Sequence, residues 1–259
     1  LERNLKMQEP KPAIVKFNAD LLTRHLLASG ATGQGKTVLT YGLIFNFVKQ
    51  GLNFISLSFK RDIRHLIRYI PNLLVLRISP KANFGWNFFK GYPGVAIICR
   101  IFSETLNLGI GAESMMYEFS MKLLRQGRLT IPNLYHEISN AKFKIFRDVN
   151  WKASLVNRLL PFKDTFWRLL NTEAGLSISK LQEKFCIDFE LDLAGEYKSF
   201  WTTLIPSSVY EYRIQNNLRG NRLVIPFLCD EALSIASKAI QRASFLGEPL
   251  LFGLIRLAR

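Results

Sequence analysis

The sequence predicts an α/β fold with a mainly parallel sheet and a helical insertion, and three observations carry this prediction. Apolar runs of strand length alternate with amphipathic segments over residues 1–94. A glycine-rich stretch, GATGQGKT, lies between the first predicted strand and the first predicted helix. Residues 95–182 contain only helix-like segments, and strands resume in residues 183–259. We therefore expect one core, built from residues 1–94 and 183–259, with residues 95–182 inserted into it.

The elements of the first part follow from local patterns. HLLAS (25–29) is a short apolar run that indicates a buried strand. The next segment has helical periodicity, and Gly51 is placed to end that helix. NFISLSF (53–59) and LLVLRI (73–78) are predicted strands, with the short helix DIRHLIRYI between them. The helical stripe that we expect to face the core consists of Val38, Leu39, Leu43, Ile44, Phe47 and Val48.

The insertion and the second part follow the same reasoning. Segments such as ESMMYEFSMKLLRQG predict helices rich in Lys and Arg. We expect the aromatic rings in and near the insertion, including Trp86, Trp151 and Trp167, to pack helices rather than to stack on bases. KFCIDFE (184–190) predicts a strand and residues 196–218 a long helix. RLVIPFLCDEA predicts a further strand that begins at Pro226, and PLLFGLIRLA the last strand.

Composition narrows the class of protein. The 259 residues carry a formal net charge of +15, which favours a polyanionic partner, either nucleic acid or an acidic membrane surface. A basic surface that serves only solubility is the alternative. The three cysteines are far apart and form no C-x-x-C pair, which argues against zinc and disulfides and favours the reducing cytoplasm. The sequence contains neither an apolar run of membrane-spanning length nor a secretory leader.

GATGQGKT fits the phosphate-binding pattern G-x-x-x-x-G-K-[ST], with Gly30, Gly35, Lys36 and Thr37 at the fixed positions. Its glycines allow the loop amides to point inward as an anion nest, and the following helix adds partial positive charge. The Lys36 ammonium can reach the β- and γ-phosphates of a nucleotide, and the Thr37 hydroxyl can ligate Mg²⁺. The loop is therefore predicted to bind ATP with Mg²⁺.

An acidic pair supplies the second half of such a site. Asp230 and Glu231 directly follow the apolar strand residues of PFLCDEA. Asp230 would hold Mg²⁺ through its water shell, and Glu231 would polarise the attacking water. The alternative for this pair is a solvated helix start, where carboxylates favour the dipole.

Together with these two predicted halves of a nucleotide site, the order of segments along the chain resembles that of the HerA/FtsK superfamily of DNA-pumping ATPases. The resemblance is greatest to the HerA-like and conjugation-type members. RHLLASGATGQGKT is similar to the opening strand and P-loop of that family, and FISLSFKRDIRHL to its second strand and Lys-x-Asp turn. FCIDFELDLAGEYKSFWTTLI resembles the strand and helix before the Walker B motif. PFLCDEA followed by LLFGLIRLAR resembles the Walker B strand and the start of the sensor strand. His25, which fits the family opening, is interpreted as structural.

The resemblance implies a RecA-like P-loop NTPase core in a hexameric ring, with ATP between subunits and DNA in the central channel. It implies Lys36 and Glu231 as catalytic residues, and Thr37 and Asp230 as the holders of Mg²⁺. DNA is the expected partner, together with a nuclease or with secretion or conjugation proteins. The residues that we expect at the nucleotide are Gly30, Ala31, Thr32, Gly33, Gln34, Gly35, Lys36, Thr37 and Val38.

Three features depart from the family pattern. Ser58 stands where an acidic residue is common, although Lys60 and Asp62 are retained. Arg259 falls near the position of the sensor glutamine. The chain begins without Met and ends before the strands that complete such a core, so we expect it to be a fragment, truncated at its C-terminus.

These observations leave competing functions. The leading hypothesis is an ATP-dependent DNA translocase or helicase. The alternative is a nucleotide-binding regulatory or scaffold module with little autonomous ATPase activity, which the departures from the family pattern favour. A small-molecule phosphotransferase is a third hypothesis, but an Asp-Glu pair at a strand end suits water activation better than acceptor binding.

Overall fold

The computed structural model of the protein describes residues 35–82, 84–173, 175–193, 195–217 and 226–229. Helices and strands alternate at both ends of this range, and only helices lie between the second and third strands. In chain order the elements are α1 (Lys36–Lys49), β1 (Ile55–Ser58), a 3₁₀ helix (Ile63–Arg68), β2 (Leu73–Ile78), α2 (Val95–Leu106), α3 (Ile110–Arg125), α4 (Ile131–Asn140), α5 (Phe146–Thr165), α6 (Trp167–Leu170), α7 (Ile178–Gln182), β3 (Cys186–Leu191), α8 (Gly195–Gln215) and β4 (Phe227–Cys229).

The four described strands form one parallel sheet in the order β2-β3-β1-β4. β3 comes late in the chain yet pairs between β1 and β2, so helical crossovers connect the strands, as parallel pairing requires. The Pro226 carbonyl accepts a hydrogen bond from the Ile55 amide at 3.0 Å, which confirms that β4 begins just after this proline. The α/β prediction with a mainly parallel sheet is therefore confirmed. The predicted strands HLLAS and PLLFGLIRLA lie outside the described residues.

Side-chain alternation gives the sheet two different faces. Ile55 and Leu57 of β1 point toward the larger core, which also contains buried side chains of α2, α3, α5 and α8. Trp86 lies at the centre of this core, with ring centroids 6.1 Å from Phe189 and 5.3 Å from Trp201. The prediction that aromatic residues serve packing is confirmed for Trp86.

The helices between β2 and β3 pack on one another and on α8. Gly111 of α3 lies against α5 so closely that an added Cβ would be 2.0 Å from the Trp151 ring. The helical character predicted for this region is confirmed, whereas the division of the chain at residues 94 and 182 stays a prediction. None of the described helices combines the length and the apolarity that crossing a membrane requires.

The helix α1 agrees only in part with its predicted stripe. Ile44 and Phe47 are buried, but Leu39 is exposed and Val38 is 73% exposed. The stripe prediction is wrong for these two residues, because the smaller core under α1 is reached only from Tyr41 onward. The predicted end of the helix is confirmed: Gly51 has φ +74°, and its amide donates to the Val48 carbonyl at 3.0 Å. The Leu52 amide donates to Phe47, which completes a Schellman motif.

Candidate nucleotide-binding site

The described part of the predicted phosphate loop is its last turn into α1. Gly35 has φ +77°, a backbone conformation that favours glycine, and α1 begins at the next residue, Lys36. Within the described residues the first turn has neither a side-chain cap nor an acidic residue. Within the described part of the chain, no acidic side chain of the first turn opposes the positive end of the helix dipole. The loop residues Gly30, Ala31, Thr32, Gly33 and Gln34 lie outside the described residues.

The start of α1 lies at the edge of the sheet where the parallel strands end. The Tyr41 hydroxyl, on the second turn of α1, donates to the Asp62 carbonyl at 3.0 Å. Asp62 belongs to the turn that follows the last residue of β1, Ser58. Ligands of open parallel sheets bind outside the carboxyl ends of the strands. β4 ends at this edge too, and Asp230 and Glu231 follow it directly in sequence but lie outside the described residues.

A buried carboxylate lies on the face of the sheet that α1 covers. Asp188 of β3 is fully buried and accepts hydrogen bonds from the Ser56 hydroxyl at 2.7 Å and the Ser58 hydroxyl at 3.0 Å. Burial raises the pKa of the Asp188 carboxyl to about 6, although the two hydroxyl groups lower it. Ser58 departs from the acidic residue of the family pattern, yet a carboxylate lies beside it, contributed by the neighbouring strand.

Two residues farther along β3, Glu190 is also buried and is paired with Arg64. The guanidinium of Arg64 donates to both carboxylate oxygens of Glu190, the bidentate geometry that makes such pairs strong. The hydrogen bond with Glu190 raises the pKa of the Arg64 guanidinium. Because Arg64 is in the 3₁₀ helix that follows β1, this pair joins the turn after β1 to the end of β3.

Two further contacts hold the same turn. Arg61 and Arg77 both donate to the Asp192 carboxylate, and these bonds, that of Arg77 foremost, lower the pKa of Asp192. The Lys198 ammonium of α8 lies 3.7 Å from the centre of the Phe59 ring. The turn after β1 is therefore fixed to β3 and to α8 by contacts that involve charged groups.

Sequence reasoning missed this polar network, although one signal was present. A strand buried on both faces normally reads as a continuous apolar run. CIDFEL instead places acids at alternate positions, so that both point to one face. Of the predicted site residues, the described part of the chain places Gly35, Lys36 and Thr37 at the start of α1. The roles of Lys36, Thr37, Val38, Asp230 and Glu231 stay predictions.

Comparison with known proteins adds a fold-level result. No protein-family model matches the chain, and no curated protein matches it in sequence. Among solved structures, the bacterial conjugative coupling protein TrwB, in its deltaN70 form, matches with a TM-score of 0.59 at 14% identity, over 92% of this chain and 68% of the solved TrwBdeltaN70 chain. VirB4 of Thermoanaerobacter pseudethanolicus matches with a TM-score of 0.58 at 14% identity, over 88% of this chain and 65% of VirB4.

One of these neighbours, TrwB, carries nucleotide ligands in other solved forms. TrwB has been solved with the ATP analogue ADPNP and with ADP and Mg²⁺. The chain spans about two thirds of the length of either neighbour. At such low identity the similarity shows the fold, and it confirms the predicted family resemblance at that level. The chain has the RecA-like P-loop fold that the sequence predicts, and it shares this fold with the solved structures of the conjugative coupling protein TrwB and of VirB4.

Proposed function

We propose that the chain is an ATP-dependent motor ATPase that acts on DNA, a translocase or helicase of the HerA-like type. The observation that carries the proposal is the start of α1. Lys36 and Thr37 end the stretch GATGQGKT and begin a helix at the carboxyl edge of a parallel sheet, and no described side chain caps the first turn of that helix. This is the place and the chemistry of a nucleotide phosphate site in P-loop proteins.

The residues present fit ATP with Mg²⁺. The left-handed Gly35 and the acid-free first turn of α1 suit an anion. Lys36 would contact the β- and γ-phosphates, while Thr37 and Asp230 would hold the metal, whose charge stabilises the transferring phosphoryl group. Glu231 would orient the attacking water and accept its proton. The complexes of TrwB with ADPNP and with ADP and Mg²⁺ support this choice of ligand.

DNA is the proposed substrate, and a hexameric ring is the proposed assembly. The net charge of +15 suits a polyanion, and the fold is that of a protein described as a conjugative coupling protein. Nuclease or secretion partners and a cytoplasmic location are part of the same proposal. The three-part division, with residues 95–182 inserted into the ATPase core, also belongs to it.

Measurement of ATP binding and turnover tests the ATPase proposal. Lys36→Ala should lower turnover at least about 100-fold, because it removes a charge that acts on the transferring group. Lys49→Ala is the matched control, since Lys49 lies in the last turn of the same helix, and it should stay within about twofold of the unchanged protein. Glu231→Gln should bind ATP and hydrolyse it slowly. Equal turnover in the Lys36 and Lys49 variants would contradict the assignment, whereas ATP binding without turnover in the unchanged chain would favour a regulatory module.

A further inference from the structure

An open groove of about 520 Å³ lies outside the predicted phosphate site, where the segment after β2 meets the short helix α6 and the residues that directly follow it. Phe84 lines one side, and Trp167, Arg168, Asn171 and Thr172 line the other. The groove is shallow and open to solvent rather than enclosed. Its lining combines aromatic, cationic and hydrogen-bonding side chains.

Trp167 is exposed in this groove, although two nearby side chains of the same segment are buried. Trp167 is 48% exposed, whereas Phe166 and Leu169 beside it are fully buried. The Leu169 carbonyl accepts a hydrogen bond from the Trp86 amide at 2.7 Å, so the backbone of α6 is fixed to the segment after β2. Trp167 is therefore an indole on a rigid support with one part open to solvent, which suits it to stack on a planar ligand.

Among the described residues, the positive charge in the groove has no ion-pair partner. Arg168 is exposed and forms no ion pair with any of the described residues, and Lys81, next to the groove in sequence, is exposed and likewise without an ion pair there. The described residues that line the groove include no Asp or Glu; Glu173 is nearby in sequence but is not among them. A guanidinium in this setting attracts an anion, and its planar fork matches phosphate geometry.

The remaining walls give the groove its shape and its polar groups. Asn171 offers an amide donor and acceptor for the edge of a ligand. Gly85 approaches Thr172 so closely that an added Cβ would lie 2.8 Å from the Thr172 methyl carbon. The close contact between Gly85 and Thr172 therefore forms one boundary of the groove, and any larger residue at position 85 would require Thr172 or the backbone to move.

We propose that this groove binds a nucleotide unit, with the base against Trp167 and the phosphate on Arg168. A free mononucleotide and one unit of an unpaired DNA strand have the same base, sugar and phosphate. The strand as ligand rests on the proposed function, because a motor that acts on DNA must contact the strand outside its ATP site. The groove and the predicted phosphate loop are separate sites, so their occupancies are independently measurable.

Tryptophan fluorescence tests the groove directly. The experiment uses the Lys36→Ala chain, in which the predicted phosphate loop is disabled, and titrates it separately with AMP and with a ten-residue deoxythymidine oligonucleotide. We expect the ligand to quench the emission of the exposed indole of Trp167. We expect no such quenching in Trp167→Phe. The control is Trp151→Phe, which changes a partly exposed tryptophan in α5 and should keep the quenching. Quenching that survives in Trp167→Phe, or its absence with both ligands, would overturn the proposal.

Affinity variants complete the test. The affinity of each ligand that quenches the emission is then measured by fluorescence anisotropy. Trp167→Ala should lower this affinity about tenfold, because one base loses the ring on which it stacks. Arg168→Ala should also weaken binding and reduce its salt dependence, whereas Arg125→Ala, an exposed arginine of α3, should not. Equal affinities in the Arg168 and Arg125 variants would refute the phosphate contact. Quenching by the oligonucleotide alone identifies a strand, and quenching by AMP alone identifies a free nucleotide. Absence of quenching with both ligands, in a protein whose unchanged form hydrolyses ATP, would refute only this inference and not the proposed function.

Discussion

Replacement of Asp188 by Asn should change how the stability of the protein depends on pH. Asp188 is fully buried in β3, where two serine hydroxyl groups, those of Ser56 and Ser58, donate to its carboxylate. Asparagine has the same shape, and its side-chain oxygen can still accept from one hydroxyl while its amide donates to the other. It does not titrate. The Asp188→Asn variant therefore removes one ionisation with little change of packing.

The magnitude follows from the pKa of the carboxyl. Burial raises the pKa of Asp188 from 3.8 to about 6, so the folded chain holds this proton over a pH range in which the unfolded chain has released it. The contribution of Asp188 to stability is therefore fully present below about pH 4 and is lost as pH rises through about 6. At 1.36 kcal/mol per pH unit the full effect is about 3 kcal/mol, of which about 2 kcal/mol falls between pH 4.5 and 7.5.

Urea unfolding followed by circular dichroism at several pH values measures this effect. The free energy of unfolding of the unchanged protein, minus that of Asp188→Asn, should decrease by about 2 kcal/mol from pH 4.5 to 7.5. Asp192→Asn is the control of opposite sign. The arginine partners of Asp192 lower its pKa, so its stabilisation is present at neutral pH and is lost as pH falls toward 4 and below. A difference for Asp188→Asn that is constant with pH, or that grows as pH rises, would refute the reasoning.

Two further predictions concern glycine and cysteine positions. Gly111→Ala should lower the free energy of unfolding by about 1–3 kcal/mol, because the new Cβ meets the tryptophan ring of α5. Gly42→Ala, where α1 leaves open space, should raise it by about 0.5–1 kcal/mol, and equal effects in urea unfolding would contradict the contact. Burial raises the pKa of the Cys99 thiol to about 12 and also raises that of Cys186. Cys229 is less buried and should react first with iodoacetamide at pH 8; faster labelling of Cys99, detected by mass spectrometry, would refute this.

The sequence predicts much of the core of this fold for a simple physical reason. Apolar runs such as LLVLRI have no stable place except inside a sheet, and β2 occupies exactly these six residues, Leu73–Ile78. Gly51 was recognisable as a helix end because few other residues adopt its left-handed conformation. Local patterns of this kind require no knowledge of distant partners.

The parts that were missed depend on such partners. Whether Val38 and Leu39 face the core is decided by where the sheet lies under α1, which helical periodicity alone does not contain. The Arg64–Glu190 pair joins residues 126 positions apart, and it forms because β3 is inserted between β1 and β2. Trp167 likewise resembles any other aromatic residue of the insertion in sequence, and only its exposure in a groove distinguishes it.

The most direct test of the proposed motor is ATP turnover measured with and without DNA. Binding of DNA by this basic chain should raise the turnover rate several-fold, and high salt should suppress this rise because it weakens phosphate contacts. Lys36→Ala should show no turnover in either condition, while Lys49→Ala should respond to DNA as the unchanged chain does. Turnover that depends on Lys36 but is the same with single-stranded DNA, double-stranded DNA and no DNA would contradict the account.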